Sequence, residues 1–160
     1  MSDDAVGSMG DLGTENGTRG LLYNIADMKT INTQDLADRI PEEGRQEFLD
    51  TAGGHMDFGF ILQSPTLCVS HCKVAPNVTV KPHHHGVNQI TYVLNGSLRY
   101  GRKVAGPGMG YFTPAKRYTW TSGPEGAEFL EITDGPPEVP ITATNAERAR
   151  TDGSETRPQR

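Results

Sequence analysis

Residues 82–96 read Pro-His-His-His-Gly-Val-Asn-Gln-Ile-Thr-Tyr-Val-Leu-Asn-Gly, and they hold three of the chain's five histidines. On an extended strand side chains alternate between faces, so His83 and His85 share one face and His84 points the other way. Their backbones then stand about 6–7 Å apart, which lets two imidazoles converge on one ion. A break at Gly86-Val87-Asn88 precedes a strand that Gln89 opens. A turn there brings the Gln89 carboxamide back toward the imidazole pair. Imidazole nitrogen suits zinc, iron, copper and nickel, while a neutral amide oxygen is a weaker, harder donor. A histidine run in a solvated loop is the plain alternative. The shared face, the preceding Pro82, the third donor and the patterned strand together favour the metal. Asn95-Gly96 reads as a tight hairpin turn, because both residues tolerate positive φ.

Around this stretch the chain is sized for one domain of 160 residues. Its apolar fraction of 34% is low, which polar ends explain better than a thin core. The net charge of −5 comes with no basic stripe, so nucleic acid is not an expected partner. No run approaches the roughly 18 apolar residues that span a bilayer, and no charged-then-apolar leader opens the chain. A cytoplasmic protein with no membrane partner is the expectation. Cys68 and Cys72 fall on one strand about 13 Å apart, beyond the ~7 Å that a disulfide bridges. Buried free thiols in a reducing compartment follow.

Residues 1–20 are rich in Gly, Asp, Ser and Thr and read as a flexible lead. A short strand near residues 28–31 follows. Asn32 or Thr33 then caps a helical turn over residues 34–39, which Pro41 stops. Residues 42–50 are charged and suit another short turn of helix. From Gly53 onward the texture is β: strands are predicted over 56–63, 67–75, 78–81, 89–94, 97–100, 111–113, 117–121 and 127–133, with residues 101–110 rich in turns. So many short strands with frequent turns predict an all-β sandwich or barrel. Residues 21–134 form that domain, and residues 135–160 read as a disordered tail.

The central residues resemble the cupin superfamily. Its first motif has the form G-x5-H-x-H-x3,4-E-x6-G. Here Asn77 stands for the first glycine, His83, His85 and Gln89 take the ligand places, and Gly96 closes the motif. The second motif, G-x5-P-x-G-x2-H-x3-N, is looser: Gly101 and Pro107 match, Met109 replaces the glycine, and Tyr118 stands where the last histidine usually sits. The resemblance covers about residues 67–133. It implies a jelly-roll β-barrel with one open end and, near that mouth, one divalent transition metal: zinc, iron, manganese or nickel. The implied ligands are His83, His85, Gln89 and Tyr118. Tyr118 is open to three roles: phenolate ligand, hydrogen-bond donor, or aromatic lining beside Trp120.

Alignment with small cupins also turns Phe129, Glu131 and Thr133 inward and makes Glu131, with Tyr118, the acid–base candidate. The opposite register would bury Leu130 and Ile132 and leave Glu131 in solvent. Asp57 is a weaker candidate on the same grounds. By the same alignment His71 faces away from the cavity, His84 faces outward, and His55 belongs to a loop. Tyr92, Tyr100, Tyr111, Phe112 and Trp120 either wall a cavity for an aromatic ligand or form the core. The expected activity is Lewis-acid and acid–base chemistry of the lyase, isomerase or cyclase kind on a small oxygenated organic substrate. A non-haem iron dioxygenase is the first alternative, although neutral Gln89 matches the two-histidine-one-carboxylate pattern poorly. A small-molecule-binding module without catalysis is the second. The apolar stripe Ile90, Tyr92 and Leu94, opposite the Gln89 face, predicts a homodimer.

Overall fold

The computed structural model describes residues 23–38 and 53–137, with residues 42, 45, 46, 48 and 49 between them. The expected N-terminal lead, the Pro41 stop and nearly all of the C-terminal tail lie outside the described residues. Alternation of inward and outward side chains, rich in Val, Ile, Thr, Phe and Tyr, builds the strands. In chain order they are β1 (Ile31–Asn32), β2 (Met56–Gln63), β3 (Cys68–Val74), β4 (Thr79–His83) and β5 (Gln89–Tyr100), followed by β6 (Lys103–Ala105), β7 (Gly110–Thr113) and β8 (Tyr118–Thr133). The α-helix α1 (Thr33–Ala37) follows β1 directly. Its cap is Asn32, whose side chain accepts from the Gln34 amide. Among the described residues no helix is long and apolar enough to cross a membrane.

All eight strands join one antiparallel sheet in the order β1-β2-β3-β8-β5-β6, with β4 added to β8 and β7 to β5. The second half of β8 pairs β3, whereas its first half pairs β4. In the same way β5 pairs β7 at its start and β6 at its end. The two long strands therefore pass from one layer of a sandwich to the other. Trp120 and Phe129 show how sharply β8 bends. They are nine residues apart on one strand, about 30 Å if it were straight, yet their rings meet edge to face at 5.8 Å. Both belong to the core, with Val80, Val93 and Leu98. The expected all-β sandwich is what forms.

The bend lies where β5 and β8 lose register. Gly96 pairs Ala127 and Leu98 pairs Ser122, so residues 123–126 bulge opposite a single step of β5. Pro124 fits there because its missing N–H is not needed by the ladder. Gly96 and Gly126 take φ of 67° and 77°. A Cβ at Gly96 would collide with the Gly126 carbonyl oxygen, and one at Gly126 with the Val74 carbonyl oxygen. Two expectations change here. Asn95-Gly96 is not a hairpin turn but a bend inside the continuous strand β5, and the predicted strands over 117–121 and 127–133 are one strand. The hairpin turn lies instead at Gly101-Arg102, between the paired Tyr100 and Lys103, and residues 101–110 contain the strand β6. The strand near residues 28–31 shrinks to Ile31–Asn32, paired with Asp57 and Phe58.

Gly96→Ala is expected to lower unfolding stability by well over 2 kcal/mol, the ~1–2 kcal/mol cost of a left-handed side chain plus a backbone clash. Gly101→Ala has φ of 60° but nothing within 4 Å of the new methyl. It should lose only the conformational part, about 1–2 kcal/mol. Urea unfolding of the two variants measures the difference, and equal losses would contradict the bend as described.

Candidate functional site

Cross-strand register assembles the site. One inward-facing row runs Phe60, Ser70, Glu131, Thr91 and Tyr111 across β2, β3, β8, β5 and β7. The next inward row holds Gln63, Cys68, Thr133, Gln89 and Thr113. Gln89 and Glu131 are thus diagonal neighbours, within reach of long side chains. Gln89, 2% exposed, donates through Nε2 to Glu131 Oε1 at 3.2 Å and to Thr91 Oγ1 at 3.1 Å. Its Oε1 accepts from the Tyr118 hydroxyl at 3.3 Å. An ionised carboxylate only accepts, so Glu131 fixes which end of the carboxamide faces it. The amide oxygen is left pointing toward Tyr118. Tyr118 and Glu131 sit thirteen residues apart on β8, and the bend of that strand brings both to one glutamine.

The imidazoles converge on the same place. The His83 and His85 ring centroids are 5.0 Å apart with planes at 82°. The Tyr118 ring lies 4.6 Å from His83 and 6.1 Å from His85. His83 is 3% exposed, and its Nδ1 is 2.7 Å from the Lys81 carbonyl oxygen. A carbonyl only accepts, so Nδ1 carries the proton and Nε2 keeps the lone pair, the tautomer that a metal-binding histidine needs. Burial lowers the His83 pKa below its ordinary value; the carbonyl bond opposes this, and His84 and Arg117 add to it. The imidazole is therefore held neutral, as a ligand must be. Asn77, in the motif's first glycine place, adopts φ of 57°, a conformation that asparagine tolerates.

Burial raises the carboxyl pKa of Glu131 to about 7, opposed by the bond from Gln89. Burial and the neighbouring Glu131 push the Tyr118 phenol well above its usual value, so it stands as a neutral donor here. The same two causes raise the Cys72 thiol. Both cysteines are free and buried, as expected. Among the described residues no three His, Cys, Asp or Glu side chains gather as a metal set. His83 and His85 converge beside Tyr118, whose hydroxyl donates to the Gln89 oxygen. Two neutral nitrogens and one neutral oxygen fit a divalent transition metal held without an anionic protein ligand.

A cavity of about 630 Å³ opens beside this cluster, lined by His85, Glu131 and Ser70 together with Phe48, Phe58 and Phe60. Its aromatic residues are not those named from the sequence. Tyr92 and Phe112 are exposed on the outer face, Trp120 belongs to the core, and Tyr100 stacks on Tyr111 at 3.8 Å. Phe58 and Phe60, two apart on β2, carried a same-face signal in the sequence. Pro136 and Pro137, read there as the start of a tail, line the cavity. Asp57 lies outside the site, accepting from Asn32 Nδ2 at 2.8 Å. His71 faces away from the cavity yet is 1% exposed, bound to Glu128 at 2.7 Å. His84 is half-buried, accepting from the Gly86 amide, and His55 packs by Gly53.

No family model and no curated protein matches the sequence. Solved structures do. The polyketide cyclase RemF from Streptomyces resistomycificus superposes with a TM-score of 0.54 at 21% identity, over 82% of this chain and 94% of that one. The DMSP lyase DddQ from Ruegeria pomeroyi gives 0.54 at 15% identity, over 75% and 63%. A cupin-2 domain from Rhodospirillum rubrum gives 0.52 at 15%, over 84% and 88%. At these identities the likeness is one of fold.

A folded-state carboxyl pKa above the unfolded value favours folding at low pH, and that stabilisation is lost as pH rises through the folded value. The chelated wild type is therefore expected to lose up to about 3 kcal/mol between pH ~4.5 and ~7 through Glu131. Glu131→Gln should lack this loss. Denaturant midpoints of both proteins across pH 4–8 test it; parallel curves would contradict the burial of the carboxyl.

Proposed function

We propose that this chain, which has the cupin fold, is a metal-dependent enzyme that moves a proton on a small oxygenated organic molecule. The observation that carries the reading is the Glu131 carboxyl, lifted to about 7 and bridged by Gln89 and Tyr118 to two convergent imidazoles at the end of a cavity. His83, His85 and Gln89 would hold the ion, which, when bound, polarises a carbonyl or enolate oxygen.

The chain's own groups supply the rest. Glu131, ionised near neutral pH, takes a proton from the carbon beside the carbonyl. The protonated carboxyl then returns it to another carbon or to a leaving group. A carboxyl pKa close to ambient pH suits both directions. Gln89 keeps its NH2 on Glu131 and so holds its own carboxamide oxygen toward Tyr118. The Tyr118 hydroxyl, kept protonated, can donate to a developing oxyanion in place of the Gln89 oxygen. Lyase, isomerase and cyclase reactions share this proton transfer and need no change of oxidation state.

Purified wild type is expected to retain about one metal ion per chain and His83→Ala clearly less, by elemental analysis. Equal contents would defeat the ligand assignment. Hydrogen–deuterium exchange at the α-carbon of a hydroxyaryl ketone, followed by NMR, should slow by about 10² or more in Glu131→Gln. Unchanged exchange together with no retained metal would leave the ligand-binding module as the reading.

We further propose that the outer sheet face pairs with a second copy of this chain. Ile90, Tyr92 and Phe112 are 46%, 41% and 60% exposed there. Register sets them beside Ile132 and Leu130 of β8, making one apolar patch over three strands. A two-fold axis lets such a patch cover itself. Sedimentation should give a dimer for wild type and a monomer for Phe112→Glu; a monomeric wild type would overturn the pairing.

A further inference from the structure

The walls of the cavity bear on what it holds. Among the described residues that line it, Glu131, His85 and Cys68 are the only ionisable side chains, and no lysine or arginine is present. Carboxylate and phosphate sites are built from guanidinium or ammonium groups. In the metal-free protein an anion here would lie beside Glu131 with no lysine or arginine among the described lining residues to pair it, and burying an unpaired charge is costly. A sugar fits no better, because each buried hydroxyl needs a partner. Among the described lining residues the polar side chains are few, Ser70, His85 and Glu131 with Gln63, Ser64 and Cys68, and they share the lining with Phe48, Phe58 and Phe60.

Phe60, Ser70 and Glu131 are paired in one row across three adjacent strands. Two strand spacings, about 10 Å, therefore separate the Phe60 and Glu131 backbones. The Phe58 and Phe60 rings lie parallel within 10°, with centroids 6.5 Å apart. A flat body that reaches from the carboxyl to these rings is longer than one six-membered ring. The cavity volume of about 630 Å³ falls in the usual range for such ligands.

We infer that the cavity binds an uncharged, flat molecule of at least two fused rings carrying a carbonyl or phenol at one end, its rings on Phe58 and Phe60 and its oxygen toward His85 and Glu131. The direction of the oxygen rests on the proton-transfer reading above; the charge and size of the ligand do not.

The test reads binding, with three probes titrated into the full chain both as purified and after chelation. These are 1-hydroxy-2-acetonaphthone, the matching carboxylate 1-hydroxy-2-naphthoate, and the one-ring 2-hydroxyacetophenone. The naphthyl ketone is expected to bind about tenfold or more tightly than either comparison ligand, in chelated protein as well. Phe60→Ser, at a position already 37% exposed, should lower the affinity for the naphthyl ketone about tenfold while changing that for the one-ring ketone little. Chelated protein that binds the naphthoate as tightly as the ketone would overturn the inference, as would a Phe60→Ser variant, folded by its thermal transition, with unchanged affinity. Binding as expected without α-carbon exchange would retain the ligand class and sink the proton-transfer reading. Exchange on the one-ring ketone with no naphthyl preference would do the reverse.

Discussion

At the crossing of β5 and β8 the two backbones touch, and the glycines Gly96 and Gly126 leave no side chain in the way. Both take positive φ, and a methyl on either would strike a carbonyl oxygen. This contact bends the two longest strands at one point, so that each serves both layers of the sandwich. The consequences reach the site. A straight β8 would leave Tyr118 about 40 Å from Glu131; the bent one lets both hydrogen-bond to Gln89. The same bend carries β4, and with it His83, against Tyr118.

Within the bend the interior is more polar than a β-sandwich core needs to be. Gln89, Thr91, Tyr118 and Glu131 form a connected network, and its members satisfy one another rather than water. Buried polar groups are tolerated when every one is paired. Glu131 is the member under strain, because its charge is poorly solvated and its only opposing influence is a neutral amide. Its immediate neighbours in the row are polar: Ser70 and Thr91 flank it. A network that is costly to keep and lies at the end of an open cavity is the arrangement in which functional carboxyls are found.

The glutamine at the third ligand place changes what the site can do. A carboxylate there would repel Glu131 and compete with it for the cation. Gln89 turns its oxygen to Tyr118 and its NH2 to the acid, so on the proposed reading a ligand and a base would coexist a side-chain length apart. The departures from the motif noted in the sequence thus act together. Tyr118 in the histidine place supplies the hydroxyl that meets the Gln89 oxygen, and Asn77 in the glycine place keeps the left-handed turn that feeds β4.

Local rules decided a good part of this protein from sequence. Alternation along β8 left Glu131 to face either way, and the cupin resemblance turned it inward. Strand alternation also set His83 and His85 on one face, although β4 itself ends at His83, and Asn32 caps its helix. These depend on neighbours one to four residues away, a range over which backbone geometry is nearly invariant. The tertiary structure decided what depends on contacts between distant residues. Asn95-Gly96 has the composition of a turn, and only the Gly126 carbonyl pressing on it shows that the chain bends there and continues. The choice of Phe58 and Phe60 over Tyr92 and Phe112 as cavity walls followed from which face β5 and β7 turn outward. That Glu131 reaches Gln89 is a fact of register between β5 and β8, and register is set by the packing of whole faces rather than by either strand alone.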